Sequence, residues 1–429
     1  MNQWGRCFQM QLRIHYAWVV LILAFFALLS AQGIRLSFGA FITPWEEEFE
    51  TNRGIISFIS FVSYAVFGLS QPYIGRLIDK YGVRKVLSFS LLLVGITTIG
   101  TFFATTPWQL MILYGVIASV GFGGASNVVG SVIIANWFVK KRGLALGLMS
   151  AGTAAGQLLL VPFSLMLIEQ FGWKHTVLLL GSFLIVVVLP LISLFIRTFP
   201  FEKGLAAYGE KETVKSKEIH ETDEKKEDIS IIRLFRTKKF LFLLLPFFAC
   251  GVTTSGLIDT HLIPFAQVCG FSPALTGIAV SLLAAFNILG TVVSGHLADR
   301  LSCKNMLAFL YGGRALSIAV LLIIVHESSL FTFFLSESHL LLLFAISFGI
   351  VDFATVAPTV KLATEYFKQL SVGVVIGWLF LSHQIGSAVG SYIPGLLYDI
   401  TGSYNISFVY SIILLVGAAV LSFLLPKNA

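Results

Sequence analysis

A few ionisable side chains stand inside otherwise apolar runs of this 429-residue chain, and they hold most of the chemistry open to it. A charge at the centre of a bilayer costs roughly 2.5–3.5 kcal/mol on insertion scales, so each one needs a reason to be there. Arg35 is flanked by Gly33 and Gly39, with Gln32 and Ser37 close by. A guanidinium stays protonated and can hold a carboxylate by two parallel hydrogen bonds, which a lysine cannot copy; the bland alternative is a side chain snorkelling to the headgroups. Asp259 and His261 precede Pro264. Residues two apart on a helix do not share a face, so one of the pair is a candidate proton carrier, His261 being the better suited to titrate near neutral pH, unless both simply meet interfacial water. Arg314 and Asp352 either neutralise each other or leave Asp352 as a proton or substrate site. His383 and Gln384, between Trp378 and the glycines Gly386 and Gly390, form a ligand and proton site or a hydrogen-bonded core pair. Tyr64, Asn127, Gln157 and Asn287 offer neutral hydrogen bonds for a substrate.

Other chemistries are excluded. No Ser/His/Asp or HExxH constellation falls at one depth and no Walker motif occurs, so neither an enzyme nor an ATP-driven pump is expected. Cys7, Cys250, Cys269 and Cys303 show no CxxC spacing, so neither a disulfide framework nor a metal site follows, and no cofactor is expected.

The elements that must position these groups are membrane helices. The chain is 56% hydrophobic and 12% charged, where a soluble chain carries about 25% charge. A crossing helix needs about 20 apolar residues, and twelve such runs appear, near 16–41, 54–77, 85–104, 108–135, 144–168, 176–196, 240–265, 272–298, 305–325, 340–362, 372–396 and 406–425. The fold class expected is therefore an all-α membrane protein. The net charge of +7 reflects the Lys/Arg bias of cytoplasmic loops, so no nucleic-acid partner is expected. Arg6, Arg13, Lys80, Arg84, Lys85, Lys140, Lys141, Arg142, Arg300, Lys304, Lys368 and Lys427 collect on one side, against Arg53 and Lys174 on the other, beside Glu46, Glu47 and Glu48. Both termini are then cytoplasmic, in a multi-pass protein of the cell membrane, and the first run is a span and not a cleaved signal peptide. The stretch 199–239 is dense in Lys and Glu and cannot bury enough apolar surface to fold by itself, so a flexible or weakly helical cytoplasmic tether is expected. The division is 1–198, a linker at 199–239, and 240–429.

The two halves repeat. Gly75-Arg76-Leu77-Ile78-Asp79-Lys80 after the second run recurs as Gly295-His296-Leu297-Ala298-Asp299-Arg300 after the eighth, and Gly143, Gly147 and Gly156 each lie 230 residues before Gly373, Gly377 and Gly386. Two six-helix halves of this kind suit a transporter with its substrate at their interface near mid-membrane. Along its whole length the chain resembles the major facilitator superfamily, most specifically in Gly75, Leu77, Asp79, Lys80, Gly82, Arg84 and Lys85. In that motif the glycine lets two helices approach, and the acid and bases, with Asp299 and Arg300 of the second copy, form a charge latch that is broken and remade as the cavity opens inward. Gly33 to Gly39, Gln71-Pro72, Asn136-Trp137-Phe138, Arg142 to Gly147 and His261 to Pro264 resemble the monocarboxylate-transporter-like and oxalate/formate-antiporter-like branch. That resemblance implies transport of small carboxylates, often with a proton. The branch's aspartate and arginine in the eighth span correspond here to Asn287 and Thr291, and the exchangers' lysine in the eleventh span to His383 or Gln384, which favours a monoanion over a dianion. The function expected is proton-driven alternating access by a monomer whose partners are a small carboxylate, protons and lipid. The alternatives are efflux of drug-like amphiphiles, against which residues 152–157 lack the Gly-Pro pair expected of the efflux branch, and a transporter-like nutrient sensor.

Overall fold

The computed structural model describes residues 15–210, 234–298, 300–325, 336–367 and 372–426, the side chains of 142, 143 and 372–374 excepted. In hydrocarbon no water can satisfy a backbone amide, so an apolar segment must close its hydrogen bonds within itself and becomes a helix. Twelve crossing segments result: α1 (Tyr16–Glu48), α2 (Arg53–Tyr81), α3 (Val83–Phe103), α4 (Pro107–Trp137), α5 (142–171), α6 (173–195), α7 (Lys238–Val268), α8 (Pro273–Ala298), α9 (Cys303–Val325), α10 (Glu337–Tyr366), α11 (Val372–Thr401) and α12 (Asn405–Phe423). They form two pseudo-symmetric six-helix bundles, α1–α6 and α7–α12.

Local chemistry sets the ends. The Asn52 side chain accepts from the Ile55 amide at 3.1 Å and starts α2, and Gly82, with φ of 81°, ends it in a conformation that favours glycine. The apolar run Leu144–Phe195 has 52 residues, about 78 Å if straight and far longer than a bilayer. Gly172, with φ of 76° and ψ of 163°, folds it into α5 and α6. Most helices overrun the apolar stretches read from sequence, because charged turns such as Glu46 to Glu48 continue the helix beyond the hydrocarbon. Residues 199–210 also depart from the expected tether. Tyr208 donates its amide to the Trp137 carbonyl and accepts from the Val139 and Lys140 amides, and its ring packs on His15, Trp18 and Phe138. An aromatic residue at the head of a charged stretch is enough to anchor it; 211–233 lie outside the described residues.

The same crossing recurs in each bundle between its first and fifth helices. A Cβ on Gly33 of α1 would stand 3.0 Å from the Gly156 Cα of α5, and one on Gly256 of α7 would stand 2.5 Å from the Gly390 Cα of α11. Small residues let backbones approach this closely. The bundles meet where α2 packs on α11, α5 on α8, and the second part of α1 on α7. Among the described residues, every hydrogen bond between the bundles lies from mid-depth to the end bearing Tyr404. At the other end, that of Asp79, Gly75 and Gly147 of one bundle and Gly295 and Gly377 of the other face open space. Among the described residues the bundles are therefore joined by hydrogen bonds from mid-depth to the Tyr404 end and not at the Asp79 end.

Gly156→Leu should lower the thermal stability of the detergent-purified protein by about 1–3 kcal/mol or more through overpacking, whereas Gly377→Ala should leave the melting curve in place. Thermal unfolding of the monodisperse fractions checks the contrast.

Candidate functional site

Arg35 sits where α1 breaks. Its helix is interrupted at Ser37, whose hydroxyl donates to the Gly33 carbonyl at 2.8 Å. The freed Arg35 carbonyl takes the Tyr114 hydroxyl at 2.9 Å. Gln32 is pinned by its amide to the Phe122 and Ala125 carbonyls at a break in α4, leaving its oxygen to accept from Arg35 Nη1 at 3.5 Å. The guanidinium lies 3.9 Å from the Phe67 ring centroid and 4.6 Å from that of Tyr64. Such cation–π contacts are worth about 0.5–2 kcal/mol each. Arg35 Nη2 is buried without a hydrogen-bond partner.

Asp259 of α7 lines the same small cavity, of about 10 Å³, together with Ser60, Ser63 and Tyr64 of α2. A wide π turn at Val252–Ile258 sets the phase of α7 just before Asp259, the kind of bulge often found at functional positions. Pro264 cannot donate to the Thr260 carbonyl, and that carbonyl instead faces Gly39, whose absent Cβ would lie 2.8 Å away. Gln157 of α5 donates to Asp259 Oδ1 at 3.0 Å, and the Tyr64 hydroxyl donates to the Ser255 carbonyl at 3.0 Å. Both bonds join the two bundles, so a cation from one, a carboxylate from the other and the bridges between them share one cavity.

A second polar cluster is buried wholly within the C-terminal bundle. Asp352 Oδ1 accepts from the Thr254 hydroxyl at 2.7 Å and Oδ2 from the Asn287 amide at 2.9 Å. Arg314, fully buried, is only 4.0 Å from Asp352 Oδ1; its hydrogen bonds go to the Val351 and Asp352 carbonyls and to Cys250 Sγ at 3.1 Å. Those carbonyls are left over where α10 breaks at Asp352 and continues as a 3-10 turn. The expected mutual neutralisation of the pair is thus mainly a guanidinium closing a broken helix, with neutral donors holding the carboxylate.

The remaining sequence candidates scatter. Gln384 packs its Cβ 3.0 Å from where a Gly68 Cβ would be, at the α2–α11 seam. His383 is buried against Phe247, with its Nδ1 3.4 Å from Ser387 Oγ, outside the lining of the Arg35 cavity. Asn127 is exposed just past the break in α4. His261 parts company with Asp259: one ring nitrogen meets Tyr404 Oη at 3.1 Å and the other the Ser391 carbonyl at 2.8 Å, in an interface that excludes water. Of the motif residues, Arg84 Nε donates to the Ser193 carbonyl at 2.7 Å, Asp79, Lys80 and Arg300 are exposed, and Asp79 makes no ion pair among the described residues. Asp299 lies outside the described residues. Sequence reading missed Arg53, taken for a loop charge: its guanidinium is buried and bonded to both oxygens of Glu46, at 2.6 and 2.8 Å. The Asn52-Arg53-Gly54 start of a helix, with four glutamates just before it, was the available signal.

A sequence model of the Major Facilitator Superfamily matches residues 20–360. The chain is 28% identical over 392 residues to the uncharacterized MFS-type transporter YcxA of Bacillus subtilis (strain 168), covering 90% of each. It is 23% identical over 412 residues to monocarboxylate transporter 12 of Homo sapiens, covering 92% of this chain and 77% of that protein. Among solved structures, the bacterial homolog of the human lysosomal transporter Spinster, in its inward-facing and occupied conformation, superposes with a TM-score of 0.73 at 17% identity, over 96% of this chain and 97% of that one. At that identity the likeness concerns the fold alone.

Asn287→Ala should strip Asp352 Oδ2 of its donor and cost about 1–3 kcal/mol, the usual penalty for a buried polar group left unsatisfied. Thermal unfolding against the parent measures it, and Gln384→Ala, at a seam and not in the cluster, should cost less.

Proposed function

The chain belongs to the major facilitator superfamily of membrane transporters, which are not enzymes, and from that premise we propose that it is a secondary carrier of small monocarboxylates, with the anion held on Arg35 and the driving proton taken by Asp259. One observation carries the reading: a permanent cation with a buried, unpartnered nitrogen shares its cavity with a carboxylate from the opposite bundle. A substrate carboxylate on Arg35 would lie beside Asp259. If both were ionised they would repel, so protonation of Asp259 makes room for the anion and links the two fluxes by charge alone. The single guanidinium suits a monoanion, and relatives named as monocarboxylate transporters support that class. Tyr64 and Gln157 complete the substrate shell.

The Asp79 end is the cytoplasmic one. Arg53 and Lys174, the basic residues at the Tyr404 end, are paired with Glu46 and Glu48, while Lys80, Lys140, Lys141 and Arg300 stand exposed at the other, in keeping with the positive-inside bias. On this reading the absence of inter-bundle hydrogen bonds at the Asp79 end among the described residues supports an inward-facing state, and Asp79 with Lys80 latches that end in the outward-open one. Both termini are cytoplasmic, and the protein acts as a monomer in the cell membrane.

Arg35→Ala should abolish binding of the carried acid and Arg35→Lys retain part of it, since hydrogen bonds to charged groups contribute roughly 1.5–3 kcal/mol each. Binding to purified protein, screened over lactate, pyruvate and formate, decides; an Arg35→Ala protein that binds as the parent does refutes the clamp. Asp259→Asn should flatten the pH dependence of uptake into proteoliposomes while leaving counterflow exchange active. Complete loss of exchange would instead make Asp259 the partner of a cationic group on a zwitterionic acid. Asp79→Asn should slow turnover several-fold and leave the dissociation constant near that of the parent.

A further inference from the structure

We propose that Arg53, Glu46, Asp399, Tyr398, Tyr404 and His261 form a second latch, which holds the molecule shut at the Tyr404 end by seating a cation of the N-terminal bundle in an aromatic cleft of the C-terminal bundle. The proposal rests on the alternating-access reading above and on nothing about the substrate.

Two separate devices join the bundles here. The first is a helix cap supplied from across the interface. The Asp399 carboxylate, at the end of α11, accepts from the Arg53 and Gly54 amides at 3.0 and 2.6 Å. The first amides of a helix have no partner within it and carry the positive end of its dipole, so a carboxylate there is held by charge as well as by hydrogen bonds. Asn52 caps only Ile55. Parting the bundles therefore uncaps α2. The second device is the Arg53 side chain. The fork on Glu46 fixes it to its own bundle, and the remaining terminal nitrogen donates to Tyr404 Oη at 3.1 Å while the guanidinium lies 4.1 Å from the Tyr398 ring centroid. Arg53 is 5% exposed, so little solvent screens these contacts.

The receiving cleft is itself braced. His261 of α7 ties Tyr404, at the start of α12, to the Ser391 carbonyl of α11, so three helices of one bundle present the two tyrosines as a unit. Beside the cation, glycines let the two helices pack closely, each against a side chain of the other. A Cβ on Gly395 would strike Ser57, and one on Gly54 would lie 2.6 Å from Asp399 Oδ2. An interface with this much complementarity has one closed geometry and no partly open one, which makes it a two-state element.

Pulsed-dipolar distances between spin labels at Glu47 and Thr401, both exposed at this end and one on each bundle, test the proposal without substrate. The parent should give one short, narrow distribution. Asp399→Ala and Arg53→Ala should each move a major share of the protein to a longer distance, and Asp399→Asn and Arg53→Lys, which disturb the fold least, a smaller share. Lys174→Ala serves as the control, because its 2.5 Å pair with Glu48 lies within the N-terminal bundle. Distributions that coincide with the parent in all four monodisperse variants overturn the latch, and so does an equal lengthening in Lys174→Ala, which would mark general loosening. A shifted distribution in a protein that carries no carboxylate leaves the latch standing and removes the substrate reading.

Discussion

A guanidinium cannot shed its proton to escape a low-dielectric site, and the architecture follows from how that constraint is met at Arg35, Arg53 and Arg314. Each has a different answer. Arg314 is spent on the carbonyls left by the broken α10, so it is a structural element of the C-terminal bundle. Arg53 is spent on a bidentate carboxylate and a tyrosine hydroxyl, which places it at a joint. Arg35 is held by weaker means, two aromatic faces and a long hydrogen bond, and keeps a donor in reserve. Arg314 Nε is likewise buried without a partner, so the binding group is distinguished here by lining a cavity, as Arg35 does and Arg314 does not.

Glycine crossings make those placements possible. Gly33 against Gly156 brings α1 so close to α5 that Gln157 can reach past it to α7. The same crossing in the second bundle presses α7 onto α11 and leaves Asp259, after its π turn, on the cavity face and His261 on the opposite one. The duplicated scaffold is symmetric, but the groups it presents are not: one bundle offers a cation and the other a carboxylate. A site at the interface thus gains complementary charges, one from each bundle, apart from the Arg314–Asp352 pair held within the C-terminal bundle.

The scaffold was legible in the sequence because its signals are long. Runs of about 20 apolar residues, the repeated Gly-x-Leu-x-Asp motif and glycines 230 residues apart each average over many positions, and twelve helices with paired crossings followed. Arg35 was legible for the opposite reason, since one charge in an apolar run is expensive. What could not be read was partnership. The facing of Asp259 towards Arg35 depends on a π turn that no residue type announces, and the burial of Arg53 depends on Tyr398, Asp399 and Tyr404, some 350 residues away in the chain. Asn127, an isolated polar residue like Gln157, shows the limit of single-residue reasoning: at the break in α4 its side chain is exposed, while Gln157 at a crossing meets Asp259.

The bonds between the bundles are unequal in what a ligand can do to them. Those at the Tyr404 end, Asp399 on the α2 amides and Arg53 on Tyr404, involve groups without access to the cavity. Gln157 on Asp259 and Tyr64 on the Ser255 carbonyl are different, because each includes a residue that lines the cavity. Under the proposed carboxylate reading, an anion settling on Arg35 and a proton settling on Asp259 alter both bridges at once. Asp259 as an acid is a poorer acceptor for Gln157, and an anion competes for the Tyr64 hydroxyl. A ligand can shift a conformational equilibrium only through contacts that differ between the two states, and these two bridges are contacts of that kind. Either charge alone perturbs one bridge and leaves an uncompensated ion in the cavity; the pair perturbs both and leaves the cavity neutral. Coupling then requires no direct bond between proton and substrate, only that both act on the same seam.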